Sequence, residues 1–269
     1  MPRISVARNV ELYFEDWGAG KTFVFIHGWP MDHRIFEYQM MALAKRDCRV
    51  VAIDLRGFGQ SDKPWEGNDY DTWATDIGKA ISDLILRDVT LVGFSMGGAI
   101  VAHYVSRRID TRIAKLALLS TPLLYPSSRP EDRKTLEGNM KALLEDRPKF
   151  MRDHVKNMVN TAMSSENREW LASLGMQASL RACVRGSEEL RDRDLRPALG
   201  NIRIPTRFFH GAMDEIVPLS LAESQVGLIK GAGLVRFETS GHALYWDEKD
   251  KLVDELEKFA AEKVVRVAA

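Results

Sequence analysis

From Val89 to Ser106, eighteen consecutive residues include no Asp, Glu, Lys or Arg. That length touches the lower limit for a membrane span, but Gly93, Ser95, Gly97, Gly98 and His103 interrupt it, so no membrane association is expected. The run divides instead into an apolar, β-branched stretch Val89 to Phe94, a turn of small residues, and a helical stretch Met96 to Arg107. A strand that is apolar on both faces has to be covered on both faces. Feeding it straight into a mostly apolar helix places the pair at the centre of a layered α/β domain.

The rest of the chain repeats that alternation. Val10 to Trp17, Thr22 to His27, Cys48 to Asp54, Ile113 to Ser120, Thr206 to His210 and Leu234 to Glu238 read as strands. Ile35 to Lys45, Thr72 to Leu86, Leu219 to Ile229 and Asp247 to Val265 have helical spacing, the last with Leu252, Leu256 and Phe259 on one face. The expected fold is therefore a mostly parallel, twisted sheet flanked by helices. Between Pro122 and Leu199 the alternation stops, and the segment carries charged helical patterns with Met140, Met151, Met158, Met163 and Met176. We read residues 122–200 as an inserted helical cap, and 1–121 with 201–269 as one core domain, because the strand pattern resumes at Thr206. The methionines suit either an adaptable apolar pocket or ordinary core filling.

Charge narrows the choice of ligand. Lys plus Arg and Asp plus Glu both number 38, so no net field attracts nucleic acid or an anionic membrane, and a small molecule is the expected partner. Whether the chain forms a homo-oligomer stays open. Cys48 and Cys183 lack any metal-ligand or C-x-x-C spacing, so neither a disulfide framework nor a structural metal is expected. The opening residues lack the apolar core of a secretory signal, which points to a cytoplasmic protein.

The chemistry centres on Gly93-Phe94-Ser95-Met96-Gly97-Gly98. A serine in so sharp a strand-to-helix turn takes a strained backbone, and Gly93 and Gly97 remove the side chains that would collide there. The Ser95 hydroxyl is then exposed above the sheet as a nucleophile. A phosphate loop is the competing reading, but neither Lys-Ser/Thr nor G-x-G-x-x-G follows.

A serine hydroxyl needs a base to take its proton and a third group to orient that base. Of the six histidines, only His242 sits between the last strand and the last helix. His27 and His210 each end a strand and could reach the same sheet edge, although satisfaction by loop backbone is the plainer role for both. His33, His103 and His154 lie in helical or surface patterns. Asp214 follows the penultimate strand and gives the order Ser95, Asp214, His242, with Glu215 as its neighbouring competitor. After Ser120 the chain reads Thr121-Pro122-Leu123-Leu124, without a carboxylate. The oxyanion of an acyl intermediate needs two aimed N–H donors, for which Met96 and Trp29 are the candidates, since Pro30 cannot donate. Trp29, Pro30, Leu123 and Leu124 are the expected pocket lining.

Together, His27-Gly28-Trp29-Pro30, Asp54-Leu55-Arg56-Gly57-Phe58-Gly59-Gln60-Ser61, Gly93 to Gly98, Asp214 and Gly241-His242 resemble the α/β-hydrolase superfamily over nearly the whole chain. Phe36-Glu37-Tyr38-Gln39-Met40 and Asp62 to Thr72 are similar to the branch of aryl esterases and cofactor-free haloperoxidases, also called perhydrolases. The resemblance implies hydrolysis of small carboxylic esters through an acyl-enzyme on Ser95, without metal or cofactor. With peroxide present it also implies peracid formation, which Pro30 favours because members noted for perhydrolysis tend to carry Pro there. The H-G-x-P pattern is shared with epoxide hydrolases, but those use an Asp where this chain has Ser95. Ala212 stands where many relatives carry a second Asp, so the acid rests on Asp214 alone. The Asp54 to Ser61 loop, lacking a lysine, reads as structural. The same triad would also serve a lactonase, a small-amide hydrolase or a C–C bond hydrolase, and some proteins of this fold are slow-turnover ligand sensors.

Overall fold

The computed structural model describes residues 2–123 and 130–263, the side chains from residue 133 onward in the second stretch. Eight strands form one sheet in the order β1-β2-β4-β3-β5-β6-β7-β8. They are β1 (Arg3–Ala7), β2 (Val10–Trp17), β3 (Lys21–Ile26), β4 (Cys48–Ile53), β5 (Val89–Phe94), β6 (Ile113–Leu119), β7 (Thr206–Gly211) and β8 (Gly233–Phe237). β1 pairs antiparallel with β2 and β2 antiparallel with β4, while β4, β3, β5, β6, β7 and β8 run parallel. The central strand β5 is buried at every residue, as its unbroken apolar sequence requires.

Helices cover both faces. A short 3-10 turn (His33–Phe36) leads into α1 (Glu37–Ala44), and α2 (Tyr70–Asp83) and α3 (Met96–Arg107) flank β5. Asp69 caps α2 by accepting the Thr72 N–H at 2.8 Å, which starts that helix at Tyr70 rather than Thr72. Between β6 and β7 come α4 (Pro130–Glu145), α5 (Arg147–Met158), α6 (Ser165–Met176), α7 (Leu180–Asp192) and α8 (Arg196–Leu199). Asp146, Ser164 and Ser179 cap α5, α6 and α7, so the charged stretch breaks into helices where capping side chains occur. Of its methionines, Met151, Met158 and Met163 are buried and act as core, whereas Met176 is exposed. Then follow α9 (Leu219–Val226), α10 (Leu244–Asp247) and α11 (Lys249–Ala261), so the last helix starts later and ends earlier than its spacing suggests. No helix among the described residues is long and apolar enough to cross a membrane.

β1 is absent from the sequence reading. Its signal was a short alternation in which only Ile4 and Val6 turn inward, and it becomes a strand because β2 offers Leu12 opposite Ile4.

The Asp54 to Ser61 loop is structural, and it holds His33, read from the sequence only as part of a helical or surface pattern, in a buried contact. His33 Nδ1 and its backbone N–H both lie 2.8 Å from Asp54 Oδ1, Gln60 N–H donates to Asp54 Oδ2, and Ser61 Oγ accepts from Tyr13 N–H. Burial pulls the His33 pKa down, but the hydrogen bond and charge of Asp54, joined by Asp32, outweigh it and leave the pKa above the ordinary 6.5. Asp54, despite its own burial, is held below the ordinary 3.8 by His33. The His33 contribution to stability is thus complete below pH 6.5 and disappears as pH rises through its folded pKa. The Asp54 contribution disappears as pH falls below 3.8. His33→Leu is expected to cost about 3 kcal/mol at about pH 5.5 and distinctly less near pH 8.5. Urea denaturation of both proteins at the two pH values measures the difference; an equal loss at both would mean that His33 is neutral in the folded chain.

Candidate active site

The parallel strands present their carboxyl ends at one edge, and the order β4-β3-β5 makes a switch point there, where connections leave in opposite directions and where sheets of this kind bind ligands. Around that edge gather the loop after β3, with Trp29 and Pro30, the turn after β5, with Ser95, and the loops after β7 and β8, with Asp214 and His242.

Ser95 has φ 51° and ψ −120°, a conformation that costs a non-glycine residue on the order of 1–3 kcal/mol. Its N–H donates to Leu119 O at 2.8 Å and Ala99 N–H donates to its carbonyl at 3.2 Å, which holds the turn from both sides. The two flanking glycines are required sterically. A Cβ on Gly93 would lie 2.6 Å from both Gly97 O and Gly98 Cα, and one on Gly97 would strike the carbonyl oxygens of His27 and Ile26.

Ser95, His242 and Asp214 are all buried and hydrogen-bonded in sequence. His242 Nε2 lies 3.0 Å from Ser95 Oγ, and His242 Nδ1 lies 2.8 Å from Asp214 Oδ2. Asp214 Oδ1 is occupied by the N–H groups of Ile216 at 2.9 Å and Val217 at 2.8 Å, so Oδ2 is the oxygen that faces the imidazole. An ionised carboxylate only accepts, which assigns the proton to Nδ1 and leaves Nε2 to accept from the serine hydroxyl. Glu215, beside it, is exposed.

The histidine loop is anchored from outside the core. Ala243 N–H donates to Met158 O at 2.8 Å, and Asp247 accepts N–H bonds from Gly241, Asn160 and Thr161 at 2.8, 3.0 and 2.9 Å. The end of α5 therefore helps to fix His242. Trp29 is tied to α7 by its Nε1–H, which donates to Cys183 O at 2.9 Å, and a Cβ on Gly186 of the same helix would approach Trp29 Cδ1 to 2.9 Å and Met96 Sδ to 3.1 Å. Among the described residues the backbone N–H groups of Trp29 and Met96 have no protein acceptor.

His27 has both nitrogens committed to backbone, Nδ1 to Gly28 O and Nε2 to Leu55 N–H, each at 3.0 Å. His103 is buried on α3, in keeping with the helical pattern in which it lies, with Nε2 2.7 Å from Asp71 Oδ1. Leu123 is buried, its N–H donating to Gln225 Oε1 with no bond to the Ser95 chain, and Leu124 lies outside the described residues. Asp32, His33 and Asp54 present ligand atoms within 4.8 Å of one another, but Arg34 already neutralises Asp32 and His33 pairs with Asp54, so the donor set is spent on ion pairs. A cavity of about 570 Å³ opens at the opposite, amino-terminal edge of the sheet, beside Lys21, Arg87 and Lys115. Lys115 Nζ there is committed to the carbonyls of Phe259, Ala260 and Glu262.

His154 is the side chain that the sequence reading discounted and the structure brings to the site. Its ring stacks on Phe150 at 5.7 Å and meets Trp29 edge-on at 5.4 Å. Burial, reinforced by the neighbouring His242 and offset in part by the Trp29 backbone, lowers its pKa to about 4, so it is neutral at physiological pH. The i, i+4 spacing of Phe150 and His154 was the available signal, since it puts both on one face of α5.

Comparison with known proteins follows this geometry. The family described as alpha/beta hydrolase fold matches residues 21–249. The AB hydrolase superfamily protein YisY of Bacillus subtilis (strain 168) is 39% identical over 262 residues, 96% of this chain and 98% of its own. The non-heme chloroperoxidase CPO-A1 of Kitasatospora aureofaciens is 31% identical over 93% of this chain and 95% of its own. Among solved structures, an esterase from Exiguobacterium antarcticum superposes with a TM-score of 0.90 at 32% identity, covering 94% of this chain and 96% of that one. The chain belongs to the alpha/beta hydrolase fold family, as an enzyme related to its esterases and non-heme haloperoxidases.

Proposed function

We propose that the protein hydrolyses small carboxylic esters through an acyl-enzyme on Ser95, and that hydrogen peroxide can replace water as the acyl acceptor. The observation that carries this reading is the continuous hydrogen-bonded chain from Ser95 Oγ through His242 to Asp214 Oδ2. Ser95 Oγ attacks the ester carbonyl as its proton passes to His242 Nε2, and the carbonyl oxygen becomes an oxyanion. The N–H groups of Trp29 and Met96, unpaired among the described residues, are the donors for that oxyanion, with Met96 adding the positive end of α3. His242 then returns the proton to the departing alcohol, leaving an acyl group on Ser95. Water, deprotonated by His242, attacks the acyl carbon and releases the acid. Hydrogen peroxide attacking the same carbon releases a peracid instead, and Ser95 recovers its proton from His242.

The helices between β6 and β7 (residues 122–200) act in this reading as a cap. Trp29, Phe150 and His154 form an aromatic wall that starts one residue beyond Gly28, where a Cβ would lie 3.0 Å from Ser95 Cβ, and α7 presses on Trp29 and Met96 at Gly186. Such a wall accepts compact apolar or aryl groups, and Pro30 directly follows the oxyanion donor in the chain.

The test is an assay of the purified protein on short-chain aryl acetates, with acetate plus hydrogen peroxide assayed in parallel for peracid. Both activities are expected. Silence in both would refute the ester reading and direct attention to lactone, amide or C–C substrates. Pro30→Leu is expected to lower the perhydrolysis-to-hydrolysis ratio severalfold while ester hydrolysis persists; an unchanged ratio would leave Pro30 as a turn residue only.

A further inference from the structure

His210 is the penultimate residue of β7, four residues before Asp214, and is fully buried. Its Nε2 lies 2.7 Å from the carbonyl oxygen of Val217 and 3.4 Å from Asp214 Oδ2, while its Nδ1 has no hydrogen-bond partner among the described residues. Two oxygens facing Nε2 require the proton to be there. Protonating Nδ1 as well would bury a second N–H with nothing to receive it. Burial also pushes the pKa of His210 below its ordinary value, against the pull of Asp214. His210 is therefore a neutral Nε2–H imidazole, and the titratable groups facing it are Asp214 and His242.

A closed circuit of bonds follows. Val217 N–H donates to Asp214 Oδ1, Val217 O accepts from His210 Nε2–H, and Asp214 Oδ2 stands between His210 and His242. We propose that His210 is a positioning residue for the Ser95–His242–Asp214 chain: it clamps the loop carrying Asp214 through Val217 O and sets a donor dipole beside Oδ2 that moderates this oxygen's hold on His242. The inference rests on Asp214 being the carboxylate that orients His242. No feature of the hydrolytic steps above uses His210. Its effect is on where Oδ2 sits and how strongly it favours the His242 imidazolium.

Removing the Nε2–H leaves Oδ2 with less competition for its negative charge, so the imidazolium form of His242 gains and the acidic limb of the pH profile moves up. It also frees the Asp214 loop, and misplacement of an orienting group lowers kcat more than KM. In kcat/KM profiles on an aryl acetate, His210→Phe is expected to raise the acidic-limb pKa by about half a unit or more and to lower kcat about tenfold with KM nearly constant. His210→Gln, whose amide reaches toward the same oxygens, should restore most of both. Asp214→Asn in the same series separates the two readings. If it loses activity while the acidic limb of His210→Phe coincides with wild type, the His210 proposal fails alone; if Asp214→Asn keeps full activity, the assignment of Asp214 fails first. Should the Phe variant not fold, ¹⁵N-histidine NMR of the wild-type protein decides. A neutral Nε2–H tautomer for His210 is expected, and an Nδ1–H tautomer overturns the proposal.

Discussion

Ser95→Ala is expected to lower ester turnover by on the order of 10⁶ while the protein remains folded. The size follows from what the hydroxyl does in the proposed mechanism. His242 and Asp214 act through Ser95 Oγ, so removing the nucleophile silences the whole chain, and only the oxyanion donors and substrate binding remain. The fold should tolerate the change, because the turn is held by backbone groups. Ser95 N–H and carbonyl make bonds to Leu119 O and Ala99 N–H, neither of which involves the hydroxyl. Alanine carries the same φ penalty as serine at 51°, so no strain is added or relieved. Steady-state kinetics with a thermal melt of the same preparation checks both halves. Retained turnover in clean variant protein would overturn the acyl-enzyme mechanism, and peracid formation should disappear with ester hydrolysis because both use the same acyl group.

What was legible in the sequence and what was not divide by range of interaction. Strand β5, its turn and α3 were readable because each is determined locally: an apolar run, two glycines that a Cβ would block, and a helix with no polar face. Asp214 and His242 were readable because a parallel sheet delivers the ends of β7 and β8 to the edge that already holds Ser95. β1 was missed because two inward residues become a strand only when β2 pairs with them. The pairings of His33 and His103 were not legible for a related reason: the carboxylates they meet, Asp54 and Asp71, lie 21 and 32 residues away. His154 belongs to the same class. Nothing on α5 indicates that its face meets Trp29, since that contact depends on how α5 is laid against the core. The helical segment between β6 and β7 could be recognised as helical from its charged helical patterns, but the direction in which each helix presses on the site could not.

Asp214→Asn is expected to reduce kcat by about 10⁴, less than the loss of the nucleophile and with little change in stability. Asparagine has nearly the same shape, and its carbonyl oxygen can take the position of Oδ1 and keep the N–H bonds from Ile216 and Val217. Its amide nitrogen then replaces Oδ2 and turns a donor toward His242 Nδ1. The imidazole must answer with an acceptor, which moves its proton to Nε2 and points an N–H at Ser95 Oγ. In that tautomer the histidine cannot take the serine proton, so the base is present, correctly placed and inactive. The positive charge that forms on His242 during attack also loses its counter-charge, and this raises the barrier to both acylation and deacylation. Activity should recover partly at high pH, where hydroxide can assist removal of the serine proton. Kinetics from neutral to alkaline pH, with a denaturation curve for the variant, distinguishes this from simple loss of structure. A loss of tenfold or less at neutral pH would mean that Asp214 only braces the loop, and the orienting role would then have to be sought in another group that reaches His242 Nδ1.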